Sequence, residues 1–417
     1  MTHQDTIRKL CKISLATLLV ASGTWGLSGC NSSGKTSPKA MPAKQAVAKV
    51  KTKTPPQDII LTVAATGDAL PHDALMPDVS RDAEGNTHFT NLMTGIKPFI
   101  EGADLAICHQ ETAYAQDGAP YQGFPKFAMP TGWAKDMKDL GYDGCSTASN
   151  HTNDQGVEGA YQTLNVLERA GLGATGSRRS ADEKPYQMYN LTKDGRTIKI
   201  AHLSLTWAVG TSFINEKPWL VNTDNMNDIL KWAAQARQEG ANVVILSAHN
   251  GIEYQLQPSA WARKWAQEAA ASGLIDLFIG HHPHVPQGIE KLPGGVDGKG
   301  MWTYWSLGNI ISDMRPLTTM HTDSEQMAWV TIKVPPQGNA EVLSAQWVAI
   351  GLEPESHMVV PLAAAAQGRI PPGSAMSASK AAQYREFMQS LVSSQTPELT
   401  EPPAKPSSAK VEALPKI

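Results

Sequence analysis

One short motif combines residue types and spacing that favour metal chemistry. Gly280-His281-His282-Pro283-His284 follows the apolar run Ile275 to Ile279, which is typical of a buried strand. Neutral imidazole is the commonest protein ligand for transition metals, and His282 and His284 are spaced so that both can point at one ion. The motif therefore predicts a metal site at the end of a strand. Taken alone, it leaves open a histidine-rich surface loop that binds nothing.

Four further strand-like runs, three of them apolar, are followed by side chains that can bind a metal or transfer a proton. They are Ile59 to Ala65 before Asp68, Ala103 to Cys108 before His109 and Glu111, Asp143 to Thr147 before Asn150 and His151, and Val243 to Leu246 before His249 and Glu253. In open α/β sheets, functional groups gather at the carboxyl ends of strands. The recurrence of this pattern favours one convergent metal site over coincidence.

The elements that must position these residues alternate between strands and helices over roughly 300 residues. The strands are too apolar to face water, which is typical of an α/β fold whose sheets are covered by helices. A helix is predicted to start near Asp154, as its cap, and to stop at Gly171. Another is predicted from Pro258-Ser259 to Ser272, with Gly273 beyond its end.

The order of these motifs resembles the CapA family, the poly-γ-glutamate capsule biosynthesis proteins. The matching elements are Gly67-Asp68, Asp104 to Glu111, Asn150-His151, His249-x-Gly251-x-Glu253, Gly280 to His284 and Ser306-Leu307-Gly308-Asn309. The resemblance covers about residues 58 to 355, and the histidine motif and Ser-Leu-Gly-Asn are its most specific parts. We predict a domain over residues 58–358. The resemblance implies a metallophosphoesterase-like fold, a two-sheet sandwich flanked by helices (αββα), with a dinuclear metal site.

The resemblance also implies roles for individual residues. The implied metal ligands are Asp68, Glu111, Asn150, His249, His282 and His284. His151 would stand where related phosphoesterases keep a general acid. His281 would be either a ligand or a residue that orients one, and Glu253 and Asn309 would orient ligands or contact substrate.

Two departures from the family pattern affect this assignment. The family usually has Asn-Leu-Glu where this chain has His109-Gln110-Glu111, so His109 is either an added ligand or catalytic acid, or a neighbour of the site. In addition, Gly67-Asp68 lacks the histidine two residues on that broader phosphoesterases use. His72, four residues after Asp68, is interpreted as a turn residue.

Carboxylate, imidazole and amide ligands suit Mn²⁺, Fe or Zn²⁺ better than Ca²⁺, which prefers oxygen alone. Two such ions are expected to support hydrolysis of a phosphoester. The predicted function is a metal-dependent hydrolase of the phosphoesterase type, or a role in poly-γ-glutamate or capsule polymer synthesis and export. The alternative is a non-catalytic, metal-dependent module that binds an anionic cell-surface polymer. The formal net charge of −3 gives no reason to expect a nucleic-acid partner.

The N-terminus has the pattern of a secretory signal. Arg8, Lys9 and Lys12 precede the apolar run Ile13 to Val20, and Leu27-Ser28-Gly29-Cys30 resembles the lipobox of bacterial lipoproteins. We predict a signal peptide over 1–29, lipidation (palmitate) at Cys30, and a lipid-anchored location in the bacterial cell envelope, facing the periplasm or exterior. An ordinary signal peptide with a chance cysteine is the alternative.

Composition separates the two ends from the predicted domain. Residues 30–57 are rich in Ser, Pro, Ala and Lys and are predicted to form a flexible tether. Within 359–417, Ser377 to Val392 is a candidate surface helix, and the chain beyond Gln395 is predicted to be disordered.

Two further sets of residues leave alternatives open. Cys108 and Cys145 can pair in an oxidising compartment, although their strand-like surroundings favour buried free thiols. Six tryptophans can line a polymer groove: Trp207, Trp219, Trp261, Trp265, Trp302 and Trp305. The helical spacing of Trp261 and Trp265 instead favours packing of one helix face against the core.

Overall fold

Two large β-sheets contain the strands whose ends were predicted to bear the site. The structure, a computed structural model, describes residues 57–81, 87–208, 216–314, 320–392 and 395–417. The predicted signal peptide, Cys30 and the tether up to residue 56 lie outside the described residues. No helix in the part of the chain that the structure describes is both long and apolar enough to span a bilayer.

Seventeen strands and eight helices make up the described fold. The strands are β1 (Ile59–Leu70), β2 (Ser80–Arg81), β3 (Thr87–His88), β4 (Leu105–Gln110), β5 (Gly144–Ser146), β6 (Gly173–Thr175), β7 (Gln187–Lys193), β8 (Arg196–Thr206), β9 (Val243–His249), β10 (Leu277–His281), β11 (Ile289–Leu292), β12 (Met301–Tyr304), β13 (Asn309–Ser312), β14 (Ser324–Val334), β15 (Glu341–Leu352), β16 (Val359–Pro361) and β17 (Lys410–Ala413). The helices are α1 (Thr90–Met93), α2 (Lys97–Gly102), α3 (Gly132–Leu140), α4 (Gly156–Arg169), α5 (Met226–Gln238), α6 (Ala260–Ser272), α7 (Leu362–Ala365) and α8 (Ala378–Leu391).

Both large sheets have parallel centres. The first runs β16-β15-β14-β1-β4-β5-β6, with β13 paired to the end of β1, and the second runs β11-β12-β10-β9-β8-β7-β17. Strands β1, β4, β5 and β6 are mutually parallel, as are β8, β9, β10 and β12. Parallel neighbours end on the same edge of a sheet, so the polar residues that follow them are brought together.

The strands of the second sheet are apolar on both faces because both faces of that sheet are covered. Side chains alternate across a strand, and Val243 and Ile245 of β9 join the core cluster that includes Val63 and Ile107 of the first sheet. The intervening Val244 and Leu246 of β9 pack in a second cluster with residues of α5 and α6. Helices α4, α7 and α8 contact β6 and β15 of the first sheet. The predicted α/β two-sheet sandwich flanked by helices is confirmed.

The predicted helix boundaries are confirmed at α6, at α8 and at the end of α4, where Gly171 follows the cap residue with φ +77°, but not at the start of α4. The hydroxyl of Ser259 accepts a hydrogen bond from the Ala262 backbone N–H at the start of α6, and Gly273 ends that helix with φ +65°. The prediction that Asp154 caps α4 is wrong. The cap residue is Gln155, whose side chain makes no capping hydrogen bond to the helix. The Asp154 carboxylate instead accepts hydrogen bonds from His151 and the Phe127 backbone N–H.

The C-terminal segment differs from the predicted disorder beyond Gln395. Strand β17 pairs antiparallel with β7 at the edge of the second sheet, and the Leu414 backbone N–H donates to the Met188 carbonyl. The Lys416 ammonium donates to the Ser177 carbonyl oxygen at 2.8 Å. The sequence did not reveal this because an edge strand gains order from backbone hydrogen bonds, which a polar composition does not forbid.

Cys108 and Cys145 form a disulfide, the less favoured of the two alternatives left open by the sequence. They are register partners on the neighbouring strands β4 and β5. The next pair along the same strands is His109 and Ser146. The disulfide therefore joins the two strands one residue before they enter the site.

Candidate metal centre

The strand ends bring most of the predicted ligands into one buried cluster between the sheets. Asp68, Glu111 and His249 have no exposed surface, and His282 and His284 are 3% exposed. Three sets of residues each offer three possible ligand atoms, and the atoms within a set lie no more than 4.8 Å apart. The sets are Asp68 with His109 and His281, Asp68 with Glu111 and His284, and Glu253 with His282 and His284. Because neighbouring sets share Asp68 or His284, the sets form one continuous group of possible ligands.

Asp68 is held by the turn at the end of β1. A Cβ atom on Gly67 would lie 2.0 Å from the Gly308 carbonyl oxygen, so only glycine fits there. The Asp68 carboxylate accepts the His282 backbone N–H at 2.9 Å and lies 3.1 Å from His281 Nδ1. Burial raises the pKa of Asp68, but hydrogen bonds from His281 and His284 outweigh it and hold that pKa well below its usual range. Asp68 is therefore an ionised carboxylate inside the protein.

Glu111 occupies the middle of the cluster. Its Oε1 lies 3.9 Å from His249 Nε2 and 3.8 Å from His284 Nε2. Neither carboxylate oxygen has a hydrogen-bond partner among the described residues. Burial raises the pKa of Glu111. A buried carboxylate without a partner is costly unless it is paired or coordinates a metal, so Glu111 fits a position between two cations.

A chain of hydrogen bonds from Ser146 through His109 orients the His249 ring at its Nδ1. Ser146 Oγ lies 2.7 Å from His109 Nδ1, and His109 Nε2 lies 2.9 Å from His249 Nδ1. Burial lowers the pKa of both histidines, which keeps them neutral. For His249 Nε2 to bind a cation, its Nδ1–H must donate to His109 Nε2, and His109 Nδ1–H must then donate to Ser146. His109 is therefore hydrogen-bonded to the candidate ligand His249 on the side away from Nε2 and can hold it in that tautomer.

Asn150 meets His249 from the other side. Its Oδ1 lies 2.7 Å from His249 Nε2, so in the protein without a cation the Nε2–H of His249 donates to this amide oxygen, and a bound cation would take the place of that proton. Both atom types bind Mn²⁺, Fe and Zn²⁺. The two predicted ligands thus lie together, and His249 Nε2 is 3.9 Å from Glu111 Oε1.

His284 is oriented by Asn309, whose Oδ1 accepts from His284 Nδ1 at 2.9 Å. His282 and His284 have positive φ angles of +94° and +58°. Non-glycine residues seldom adopt this conformation, and such strain is concentrated at functional sites. Burial lowers the pKa of His284, but the charges of Glu111 and Asp68 outweigh it and raise that pKa. In the protein without a cation, His284 therefore carries a positive charge that a bound metal would replace.

His282 is available as a ligand. Burial, followed by the charge of His284, lowers the pKa of His282 to about 3, so the ring is neutral. Its Nδ1 is buried and has no hydrogen-bond partner within the described ranges. A buried imidazole nitrogen with a free lone pair fits metal binding, and so does the whole donor set of carboxylates, imidazoles and an amide oxygen.

His151 lies at the more open side of the cluster, with its side chain 15% exposed. Its Nδ1 is 2.7 Å from Asp154 Oδ2, and its ring packs edge-on against Phe127. Burial lowers the pKa of His151, but the hydrogen bond to Asp154 and the charge of Glu111 outweigh it and raise that pKa. The geometry thus places beside the candidate ligands an imidazole that holds its proton more tightly than a free histidine, which suits a general acid.

His281 and Glu253, predicted to support the site, have different surroundings. The ring of His281 stacks on that of His109, with centroids 4.1 Å apart, and its Nδ1 contacts Asp68. His281 therefore packs inside the ligand cluster. Glu253 is exposed and reaches the cluster through His282 and His284.

Sequence analysis did not identify several supporting residues. Asp154 orients His151 from three residues along the chain, a spacing that could have indicated it. The roles of Ser146 and Glu325 could not be predicted, because a single serine in a strand and a glutamate far along the chain belong to no recognisable sequence motif. Glu325 Oε1 accepts the Gly67 backbone N–H at 2.7 Å and so fixes the turn before Asp68. His72, interpreted as a turn residue, precedes a short 3₁₀ turn and accepts the Asp313 backbone N–H.

The chain is similar to two capsule biosynthesis proteins. It is 29% identical to the PGA biosynthesis protein CapA of Bacillus subtilis (strain 168) over 43% of this chain and 45% of that protein. It is 24% identical to the capsule biosynthesis protein CapA of Bacillus anthracis over 52% of this chain and 53% of that protein. The chain therefore spans about half the length of the curated relatives it matches.

Solved structures show more distant similarities. The NAD nucleotidase of Haemophilus influenzae is 14% identical, with a TM-score of 0.43 over 81% of this chain and 64% of that chain. The calcineurin-like phosphoesterase YfkN from Bacillus subtilis is 13% identical, with a TM-score of 0.42 over 80% of this chain and 97% of that chain.

The family comparison agrees with the resemblance seen in the motifs. The model of the bacterial capsule synthesis protein PGA_cap matches residues 62–314. This range includes every implied metal ligand and all the strand ends of the site. The chain belongs to the bacterial capsule synthesis protein family PGA_cap.

Proposed function

We propose that the chain is a metal-dependent hydrolase of the phosphoesterase type that acts in the synthesis or export of a capsule polymer. The observation that carries the proposal is the position of the buried Glu111 carboxylate, which accepts no hydrogen bond from any described residue and lies 3.8 Å from His284 and 3.9 Å from His249. The names of the two CapA relatives support the link to capsule polymer.

The proposed centre holds two divalent cations, with Mn²⁺, Fe and Zn²⁺ as the candidates. Asp68, Glu111 and His284 would hold one, and Glu111, His249 and Asn150 the other, with His282 completing the set. When bound, a pair of such ions lowers the pKa of water and stabilises charge on a phosphoryl group. Glu111 would contribute to both positions because it lies between the two sets.

The protein side chains would supply orientation and a proton. Asn309 and His109 fix the rings of His284 and His249, so that their Nε2 atoms face Glu111. Asp154 holds His151 through Nδ1, which leaves Nε2–H to protonate the leaving oxygen. The buried position of the ligands keeps bulk water from competing for them.

Turnover and metal content together test the proposal. The full-length protein, stripped with a chelator and reloaded with Mn²⁺, should hydrolyse a phosphomonoester or phosphodiester, and His249→Ala should lose both turnover and part of the bound metal. His151→Ala should keep the metal and lose turnover. Metal binding with no turnover on phosphoesters or γ-glutamyl polymers would contradict catalysis and favour the non-catalytic polymer-binding module.

We also propose that the protein is anchored to the cell envelope through a lipid on Cys30. The support is the sequence pattern Leu27-Ser28-Gly29-Cys30 after an apolar run. Mass spectrometry of the membrane fraction should find an acylated N-terminal cysteine, and Cys30→Ser should release the protein. An unmodified Cys30 in the mature protein would contradict the anchor.

A further inference from the structure

A cavity of about 710 Å³ opens beside the candidate metal centre. Trp207, Trp261, Trp265 and His282 line it, so one of the proposed ligands also forms part of its wall. Its volume lies in the range of small-ligand sites, about 300–1,000 Å³. A molecule in this cavity would therefore extend directly from the group held at the metal centre.

The cavity wall is a row of aromatic rings that leads to the centre. The ring of Trp207 lies 5.6 Å from that of His282 and 5.8 Å from that of Trp261, which in turn lies 5.6 Å from Trp265. The Trp207 backbone N–H donates to the carbonyl of His249, which ties this tryptophan to the metal centre. Trp207 is nevertheless 44% exposed. A large indole that is fixed at its backbone and left open to solvent offers a flat apolar face to a ligand.

The charged residues of the cavity disfavour a polyanion. They are Asp224, Glu253 and Lys264, which give two negative charges against one positive charge. Lys264 also lies 3.8 Å from Glu268, which offsets part of its charge. Two exposed carboxylates repel a chain of carboxylates, but they are good acceptors for hydroxyl groups.

We infer that this cavity binds a neutral sugar ring, so that the bond cleaved at the metal centre joins a phosphoryl group to a saccharide. A pyranose has a flat face of C–H groups, which packs on indole, and a rim of hydroxyl donors, which suits Asp224 and Glu253. Of the six tryptophans considered for a groove, Trp207, Trp261 and Trp265 line this cavity, and Trp219, Trp302 and Trp305 do not. Trp265 is 7% exposed and also packs in the core, whereas Trp207 is open. The link to catalysis rests on the proposed function, whereas the sugar-binding cavity does not.

Binding to the metal-free protein tests the cavity independently of turnover. The probes are three neutral trisaccharides (maltotriose, cellotriose and tri-N-acetylchitotriose), tri-γ-glutamate and adenosine, measured by saturation-transfer NMR and tryptophan fluorescence with full-length protein in chelator. We expect at least one trisaccharide to bind, and neither tri-γ-glutamate nor adenosine. Trp207→Ala should weaken binding by about tenfold, whereas Trp207→Phe should retain most of it.

Trp219→Ala is the matched control, since this tryptophan is partly exposed and does not line the cavity. Asp224→Ala is a second variant at the rim, and it should weaken trisaccharide binding even if Trp207→Ala does not fold. The inference is overturned if no trisaccharide binds, if only adenosine or tri-γ-glutamate binds, or if both cavity variants bind as the wild type does. Phosphoester hydrolysis without trisaccharide binding would refute this inference alone, and the converse would refute the proposed function alone.

Discussion

Replacement of Glu111 by glutamine should have opposite effects on stability with and without metal. The carboxylate is fully buried and has no hydrogen-bond partner in the described part of the chain. A buried polar group left unpaired costs about 1–3 kcal/mol, and a charged one costs more. Because burial raises the pKa of Glu111, the folded protein binds this proton more tightly than the unfolded chain does. Metal-free stability is therefore lost as the pH rises through the folded pKa.

Glu111→Gln removes the charge but leaves a buried amide, so we expect a gain of about 1–2 kcal/mol for the metal-free protein at pH 8. A saturating cation should reverse this order. Binding at a ligand concentration 100 times Kd stabilises the wild type by about 2.7 kcal/mol, and the neutral amide of the variant cannot serve as an anionic ligand between two ions. The assay is thermal unfolding at pH 8 in chelator and in excess Mn²⁺, with chemical denaturation for the free energies.

Asp143→Asn is the matched control, because burial also raises the pKa of this carboxyl, to about 6. Asp143 accepts the Ala106 backbone N–H and lies outside the ligand cluster. The control should be stabilised both in chelator and in Mn²⁺ and should keep the full metal-induced shift. The reasoning is refuted if Glu111→Gln is less stable than the wild type in chelator and still gains the wild-type shift from Mn²⁺.

Three further changes have defined outcomes. His109→Ala should lower metal affinity by about 10–100-fold, because it removes the acceptor that orients His249, and an unchanged Kd in a competitive chelator titration would contradict this. Burial raises the pKa of Asp143 from 3.8 to about 6, which corresponds to at most roughly 3 kcal/mol of lost stability once the carboxyl is ionised. The free energy of unfolding of Asp143→Asn in urea should therefore exceed that of the wild type by an amount that grows as the pH rises from 4 to 7. A difference that does not change with pH would count against this. Loss of the disulfide in Cys108→Ala/Cys145→Ala should lower the free energy of unfolding by about 2–4 kcal/mol, and equal stability of the double variant and the oxidised wild type would contradict its role.

The positions of the ligands were predictable because the chain repeats one rule. Most of the candidate ligands follow an apolar run, and parallel strands end on the same edge of a sheet, so Asp68 and Glu111 of the first sheet were expected to lie near each other, as were His249 and the histidine motif of the second. The histidine motif contributed its own signal through spacing. The family resemblance supplied what periodicity alone does not, namely the packing of two sheets against each other.

The details that the sequence did not reveal depend on tertiary contacts. Asp154 is a good helix cap by composition, yet its carboxylate is recruited by His151 and the Phe127 N–H. The position of His109 behind His249 depends on the register between β1, β4 and β5, which the order of residues does not fix. The pairing of β17 with β7 likewise joins residues far apart in the chain.

Anomalous X-ray scattering from crystals grown with Mn²⁺ tests the central claim most directly. We expect a peak within about 2.0–2.3 Å of ligand atoms from Asp68, Glu111 and His284, and a second peak near Glu111, His249 and Asn150. Crystals that contain bound Mn²⁺ but show no peak within roughly 4 Å of Glu111 would contradict the account.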